Sequence, residues 1–189
     1  MFLVSGWSGP GVEWKLSPIP ARLRYAGFVV RRHHQPANGW GNISTNAAIL
    51  AESIRKEKER GRQVFVIGHS MGGLVGRETD AWGWKNIDGL VTIGTPHRGT
   101  IVAHLGRLFS QSCRQMLPKS KFIANHSGWP TMYPQLNIAC KFDLAVIPGI
   151  NAVHPLADEV EWVNHGHLSV IYSKKVADRV VEFLTSVRA

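Results

Sequence analysis

The stretch of this chain most able to do chemistry is Gly68-His69-Ser70-Met71-Gly72, inside VFVIGHSMGGLVG. A serine hydroxyl is a poor nucleophile until a histidine takes its proton, and that histidine needs a carboxylate to fix its tautomer. A Gly-x-Ser-x-Gly match taken alone is weak. Here a near-continuously apolar run, 63–67, leads into it and a helical pattern leads out, which is the arrangement of a nucleophile elbow. The requirement is steric. A serine on a sharp strand-to-helix turn is held in a strained conformation with Oγ clear of the sheet, and side chains two before or two after it would collide. The helix N-terminus behind Ser70 favours developing negative charge, and the backbone N–H of Met71 is a candidate oxyanion donor. The rival reading is a glycine-rich turn that binds phosphate, but no G-x-G-x-x-G and no Walker lysine accompanies the motif.

A fold with such an elbow runs in the chain order serine, acid, histidine. Of nine histidines, His33 and His34 precede Ser70, and His69 adjoins it but is expected to point elsewhere. His97 follows the next strand and is expected to order a loop at the site mouth; His104 and His126 belong to an apolar insert. His154, His165 and His167 remain. The base belongs after the last strand, which selects VNHGHLS, and position alone does not separate His165 from His167. In an extended segment the pair could also grip a metal, but no other ligand cluster or CxxC spacing exists, and no metal or cofactor is expected. Gly166 is expected to let the chain turn off the strand. Among acids after Ser70, Asp80 sits on the elbow helix, Asp88 precedes a strand and Asp178 follows the histidines. Asp143 ends the penultimate strand and is the first candidate; Asp158 is the second.

These residues need a scaffold. Apolar runs bounded by glycine and proline predict strands at 2–4, 27–30, 63–67, 88–93, 135–139 and 161–164. Helical periodicity predicts helices at 43–60, stopped near Gly61, at about 71–82 and at 173–187, with an apolar-helical insert over 100–127. Alternation of the two predicts a single α/β domain over 1–189, with about six mostly parallel strands and helices on both faces. Leu105, Leu108 and Phe109 of the insert would either wall an acyl pocket or simply pack on the sheet.

GHSMGGLV followed by GTPHRGT at 94–100 resembles α/β-hydrolase lipases and esterases of the bacterial triacylglycerol-lipase and inositol-deacylase-like type. The likeness runs from Phe2 to about Leu184 and includes FLVSGW, FDLAVIP and GHLSV. It implies the α/β-hydrolase fold, with a small insert instead of a large cap. It also implies a serine carboxylic-ester hydrolase working through an acyl-enzyme on a small-molecule or lipid ester. Such enzymes carry Gly-His-Leu at the catalytic histidine, which singles out His167, and D-x-x-V-x-P at the acid, which fits Asp143. The resemblance makes the backbone N–H of Trp7 the second oxyanion donor, although Ser5-Gly6 stands where His-Gly is commoner. An acyltransferase with the same triad, or a non-catalytic binding member of the fold, are the alternatives.

Composition narrows the partners. The net charge of +9 invites a nucleic-acid reading, but the Lys and Arg residues are scattered, and the longest run, IRKEKERGR, is interleaved with glutamates as on a solvated helix face. Attraction to anionic substrates or an anionic membrane surface is the milder expectation. No apolar run approaches the ~20 residues that span a bilayer. MFLVSGW lacks a basic n-region, which leads to the expectation of a cytoplasmic protein. Cys113 and Cys140 are expected to be two thiols.

Overall fold

The computed structural model describes residues 1–7, 11, 13–80, 87–127 and 132–188. Its strands are β1 (Phe2–Val4), β2 (Arg31–Arg32), β3 (Phe65–His69), β4 (Gly89–Ile93), β5 (Gln135–Cys140) and β6 (Glu159–Val163). They form one six-stranded sheet in the order β2-β1-β3-β4-β5-β6. Every neighbouring pair is parallel. All the strand C-termini therefore open on the same edge, where the crossovers leave a crevice.

The period-2 alternation explains why the strands read as continuous apolar runs. Leu3, Phe65, Ile67, Val91 and Ile93 face one helical layer, while Phe2, Val4, Val64, Val66 and Leu90 face the other. The first layer is built by α1 (Glu13–Leu16), α2 (Ile19–Tyr25) and α7 (Lys174–Ser186), through Trp14, Leu23, Val180 and Phe183. The second is built by α3 (Ile43–Lys58) and α4 (Met71–Glu78), through Leu50, Ile54, Leu74 and Val75. Asn42 caps α3, its Oδ1 accepting from Ser44 N at 2.7 Å. Gly61, at φ +69°, stops the same helix as expected, with Arg62 N donating to Glu57 O.

The strand expected at 27–30 is a correction. Gly27 sits at φ +82° and ends α2, and Phe28 N donates back to Leu23 O at 3.0 Å. The apolar residues there close a helix C-terminus: Phe28 is buried edge-on to Phe65, and the strand follows at Arg31–Arg32. The elbow helix ends at Glu78, and the remainder of its expected span, to Trp82, runs into residues outside the described ones. The 100–127 insert is a 3₁₀ turn (Ile101–Leu105) followed by two short helices, α5 (Gln111–Gln115) and α6 (Lys121–Ser127). Cys113 and Cys140 are buried free thiols. Among the described residues no helix is long and apolar enough to cross a membrane.

Candidate active site

Ser70 stands between the end of β3 and the first residue of α4, with φ +54° and ψ −128°. For a non-glycine residue this conformation is strained, and the neighbouring packing enforces it. A Cβ on Gly68 would lie 2.3 Å from Gly73 N, and one on Gly72 would lie 2.3 Å from Val4 O. The two motif glycines thus let α4 pack hard against its own elbow and against the end of β1. Ser70 N also donates to Ile93 O at 2.8 Å, holding the turn to the neighbouring strand.

Two further glycines, which the motif did not point to, make room around the site. A Cβ on Gly6 would be 2.9 Å from Ser70 Cβ and 3.4 Å from its Oγ, so the loop after β1 passes directly beside the serine side chain. This accounts for Gly6 and brings Trp7 to the site. Gly94, at φ +55°, ends β4; a Cβ there would be 3.3 Å from both Asp143 Oδ2 and His167 Nδ1. A glycine at a strand's carboxyl end, just before TPHRGT, was the signal available for it.

Asp143 and His167 meet across that gap, Nδ1 to Oδ2 at 2.8 Å. Asp143 follows β5 and its side chain is wholly buried; Oδ1 accepts from Ala145 N and Val146 N at 2.8 Å each. Burial pushes this carboxyl up. The His167 hydrogen bond and charge, together with the two N–H donors, outweigh it and hold the group below its ordinary value. His167 lies in the loop after β6 and is partly exposed.

Ser70, His167 and Trp7 line one cavity of about 300 Å³. Val102, Ala103 and Leu105 of the 3₁₀ turn, with Met116 and Val146, supply apolar walls. Of the three insert residues expected to wall a pocket, Leu105 does so. Leu108 and Phe109 are not part of its lining, and all three side chains are largely exposed. The Trp7 ring is fixed by its Nε1–H donating to Ser110 Oγ at 3.0 Å and by stacking on Trp40 at 5.2 Å. Met71 is the first residue of α4, where a backbone N–H has no acceptor within its own helix.

The other candidates lie elsewhere. Asp158 accepts from Gln135 N at 2.8 Å, at the opposite end of β5 from the crevice. Asp88 accepts from Lys58 Nζ and Val64 N, and Asp178 pairs with Arg22. His165 O accepts from Phe142 N, and its ring is not part of the cavity lining. His97 is completely buried, bonded to Thr92 Oγ1 at 3.0 Å and packed on His154, within the loop whose Pro96 and Thr100 line the cavity. The chain turns off β6 around Gly166, where Val170 N donates to Gly166 O, but the φ of Gly166 is not in the left-handed region and a Cβ there would come no closer than 3.4 Å, to Phe142 O. His69, expected to point elsewhere, is not part of the cavity lining, and its ring is buried against that of His167. Among the described residues no three His, Cys, Asp or Glu side chains are grouped to hold a metal ion.

The fold is that of the α/β hydrolases. Residues 41–120 match the family described as PGAP1-like alpha/beta domain, a segment holding Ser70 but neither Asp143 nor His167. Among solved structures, the chain is similar to lipase BlEst2 of Bacillus licheniformis in its mature form, with a TM-score of 0.74, 17% identity, and 98% of this chain and 90% of that one covered. The monoacylglycerol lipase of Paleococcus ferrophilus gives a TM-score of 0.72 at 16% identity, covering 98% and 93%. Lipase B of Aspergillus fumigatus gives 0.71 at 22% identity, covering 89% of this chain and 44% of its own. This chain thus spans under half of the fungal lipase. No curated protein matches.

Proposed function

We propose that this protein is a serine carboxylic-ester hydrolase, a single α/β-hydrolase domain with Ser70 as nucleophile, His167 as general base and Asp143 as the acid that orients it. The observation that carries this reading is the Asp143–His167 hydrogen bond in the same cavity as a serine on a strained elbow. Ser70 Oγ attacks the ester carbonyl while its proton passes to His167 Nε2, and Nδ1–H stays on Asp143. The oxyanion is received by the backbone N–H groups of Trp7 and Met71, each donor being worth about 3–4 kcal/mol in the transition state. His167 then protonates the leaving alcohol. Water, deprotonated by the same histidine, releases the acid from the acyl-enzyme.

The apolar wall of Val102, Ala103, Leu105, Met116 and Val146 suits an acyl chain, and a cavity of about 300 Å³ is at the small end for ligand sites. Short to medium chains are the expected substrates. Exposed Ile101, Leu105, Leu108, Phe109 and Leu144, with Arg107 among them, give the mouth a character that suits an anionic lipid surface as the source of the ester.

The test is hydrolysis of p-nitrophenyl esters from acetate to palmitate, with Ser70→Ala as blank and a fluorophosphonate probe as label. Wild type should label and hydrolyse, and Ser70→Ala should do neither. His167→Ala should be as inactive, while His165→Ala should keep most of the activity. Intact, folded protein that neither labels nor hydrolyses would overturn the reading. Product that appears only with an added alcohol or amine would point to acyl transfer.

A further inference from the structure

His69, the last residue of β3, is peptide-bonded to Ser70, and its ring is 3% exposed. Its Nε2 lies 2.8 Å from the backbone oxygen of His167. A carbonyl only accepts, so Nε2 carries the proton. The two rings lie 4.9 Å apart, and Trp14 meets the His69 ring edge-on. We propose that His69 is a positioning residue: its Nε2–H tethers the main chain of the His167 loop to the elbow and so keeps the His167 ring in the cavity it shares with Ser70. The inference rests on the reading of Ser70, His167 and Asp143 given above.

The loop needs such a tether. Asp143 holds the His167 ring at one atom, Nδ1, and fixes its rotation but not the backbone from which it hangs. Other ties on this loop include Phe142 N to His165 O at 3.2 Å, Gly166 N to Ser169 Oγ at 2.9 Å and Val170 N to Gly166 O at 3.2 Å. The last two are local to the loop and the first joins it to the loop after β5. Only the His69 bond, among these four, connects the base to the strand that carries the nucleophile. A shift of the base by about 1 Å is enough to cost roughly 100-fold in rate.

The tether also has the right charge. Burial, and then the charge of His167, hold the His69 imidazole down at about 4, so it stays neutral at pH 7. A neutral ring beside His167 does not oppose the positive charge which that residue takes up as Ser70 loses its proton.

The experiment compares His69→Phe, which keeps a ring and removes the donor, with His69→Gln, which restores an N–H at similar reach. In His69→Phe, kcat should fall about 10- to 100-fold with KM nearly unchanged, and fluorophosphonate labelling of Ser70 should slow in parallel. His69→Gln should recover most of both. Nitrogen-edited NMR of wild type at pH 7 should show His69 as the neutral Nε2–H tautomer, and His69→Phe should shift or broaden the His167 ring signals. If wild type labels and His69→Phe labels equally fast, the inference falls while the ester-hydrolase reading stands. Equal impairment of His69→Gln and His69→Phe would remove the donor role. Should wild type neither label nor hydrolyse, the hydrolase reading fails. The tether is then decided by the NMR alone, and an Nδ1–H tautomer or unmoved His167 signals would overturn it.

Discussion

Asp143 gives His167 one carboxylate oxygen, Oδ2 at 2.8 Å from Nδ1, and keeps the other for the N–H groups of Ala145 and Val146. The backbone fixes the carboxylate, and the carboxylate fixes the ring. Asp143→Asn keeps the shape but permits the wrong tautomer, with an NH₂ facing Nδ1. Its kcat on a p-nitrophenyl ester should fall about 10³–10⁴-fold with little change in KM. There is a stability consequence with a definite sign. The Asp143 carboxyl is held below its ordinary value in the folded state, so its ionisation stabilises the fold above its unfolded pKa, and that contribution is lost as pH falls through the folded pKa. Denaturant midpoints of wild type and Asp143→Asn should differ more at pH 7 than at pH 3.

The strain at Ser70 predicts that glycine is more stable there than alanine. At φ +54° and ψ −128° a side chain is unwelcome and glycine is not. Ser70→Gly should gain about 1 kcal/mol over Ser70→Ala by denaturant unfolding, with both inactive. Equal midpoints for the two variants would mean that the elbow is not strained.

The parts of this molecule legible from its residues were those that local sterics dictate. The glycines at 68 and 72 and the near-continuous apolar runs of β3 and β4 together bring out the elbow and the crevice edge. The parts that were not legible depend on tertiary neighbours. Gly27 reads equally well as a strand entry or a helix stop, and only the bond from Phe28 N to Leu23 O decides between them. His69 and His97 are both histidines beside a strand end. One is turned toward His167 and the other into the core toward Thr92, a difference that single-strand patterning does not carry. Gly6 and Gly94 are required by side chains distant in sequence, Ser70 in one case and the Asp143–His167 pair in the other.

Glycine spacing gives a direct packing test. Gly72→Ala would set a methyl 2.3 Å from Val4 O and 2.6 Å from Ser5 O, both backbone atoms that can yield only by moving β1 away from α4. A loss of about 1–3 kcal/mol or more is expected, together with loss of activity, since the same shift displaces Gly6 and Trp7. Gly149→Ala meets nothing within 4 Å and should leave stability within about 0.5 kcal/mol of wild type.

If the apolar wall takes the acyl chain as proposed, it can be changed without touching Ser70, Asp143 or His167. Ala103 is buried in the 3₁₀ turn and faces the cavity beside Val102 and Leu105. Ala103→Leu fills part of about 300 Å³. It should lower kcat/KM for octanoate relative to acetate by about 10-fold or more while sparing acetate, because mismatched methylenes in an apolar pocket are worth roughly 1–3 kcal/mol. An unchanged ratio would place the acyl chain outside this wall.

Buried neutral histidines set the acid limit of the fold. Burial is the largest cause for each of three: His33 and His69 are held at about 4, and His154 at about 3. The charge of His34, of His167 and of Arg77 respectively adds to it. In the unfolded chain all three return to about 6.5. Below that pH the unfolded state binds protons that the folded state refuses, so stability falls as pH drops from about 6.5 towards 4, and the slope from this source is spent below about 3. Each histidine contributes up to about 1.4 kcal/mol per pH unit inside its window. Carboxylates such as Asp143 lose their contribution only lower down, so the interval from pH 6.5 to 5 isolates the histidines. Urea midpoints should already decline across that interval, and a flat profile there would mean that these rings are protonated in the folded state.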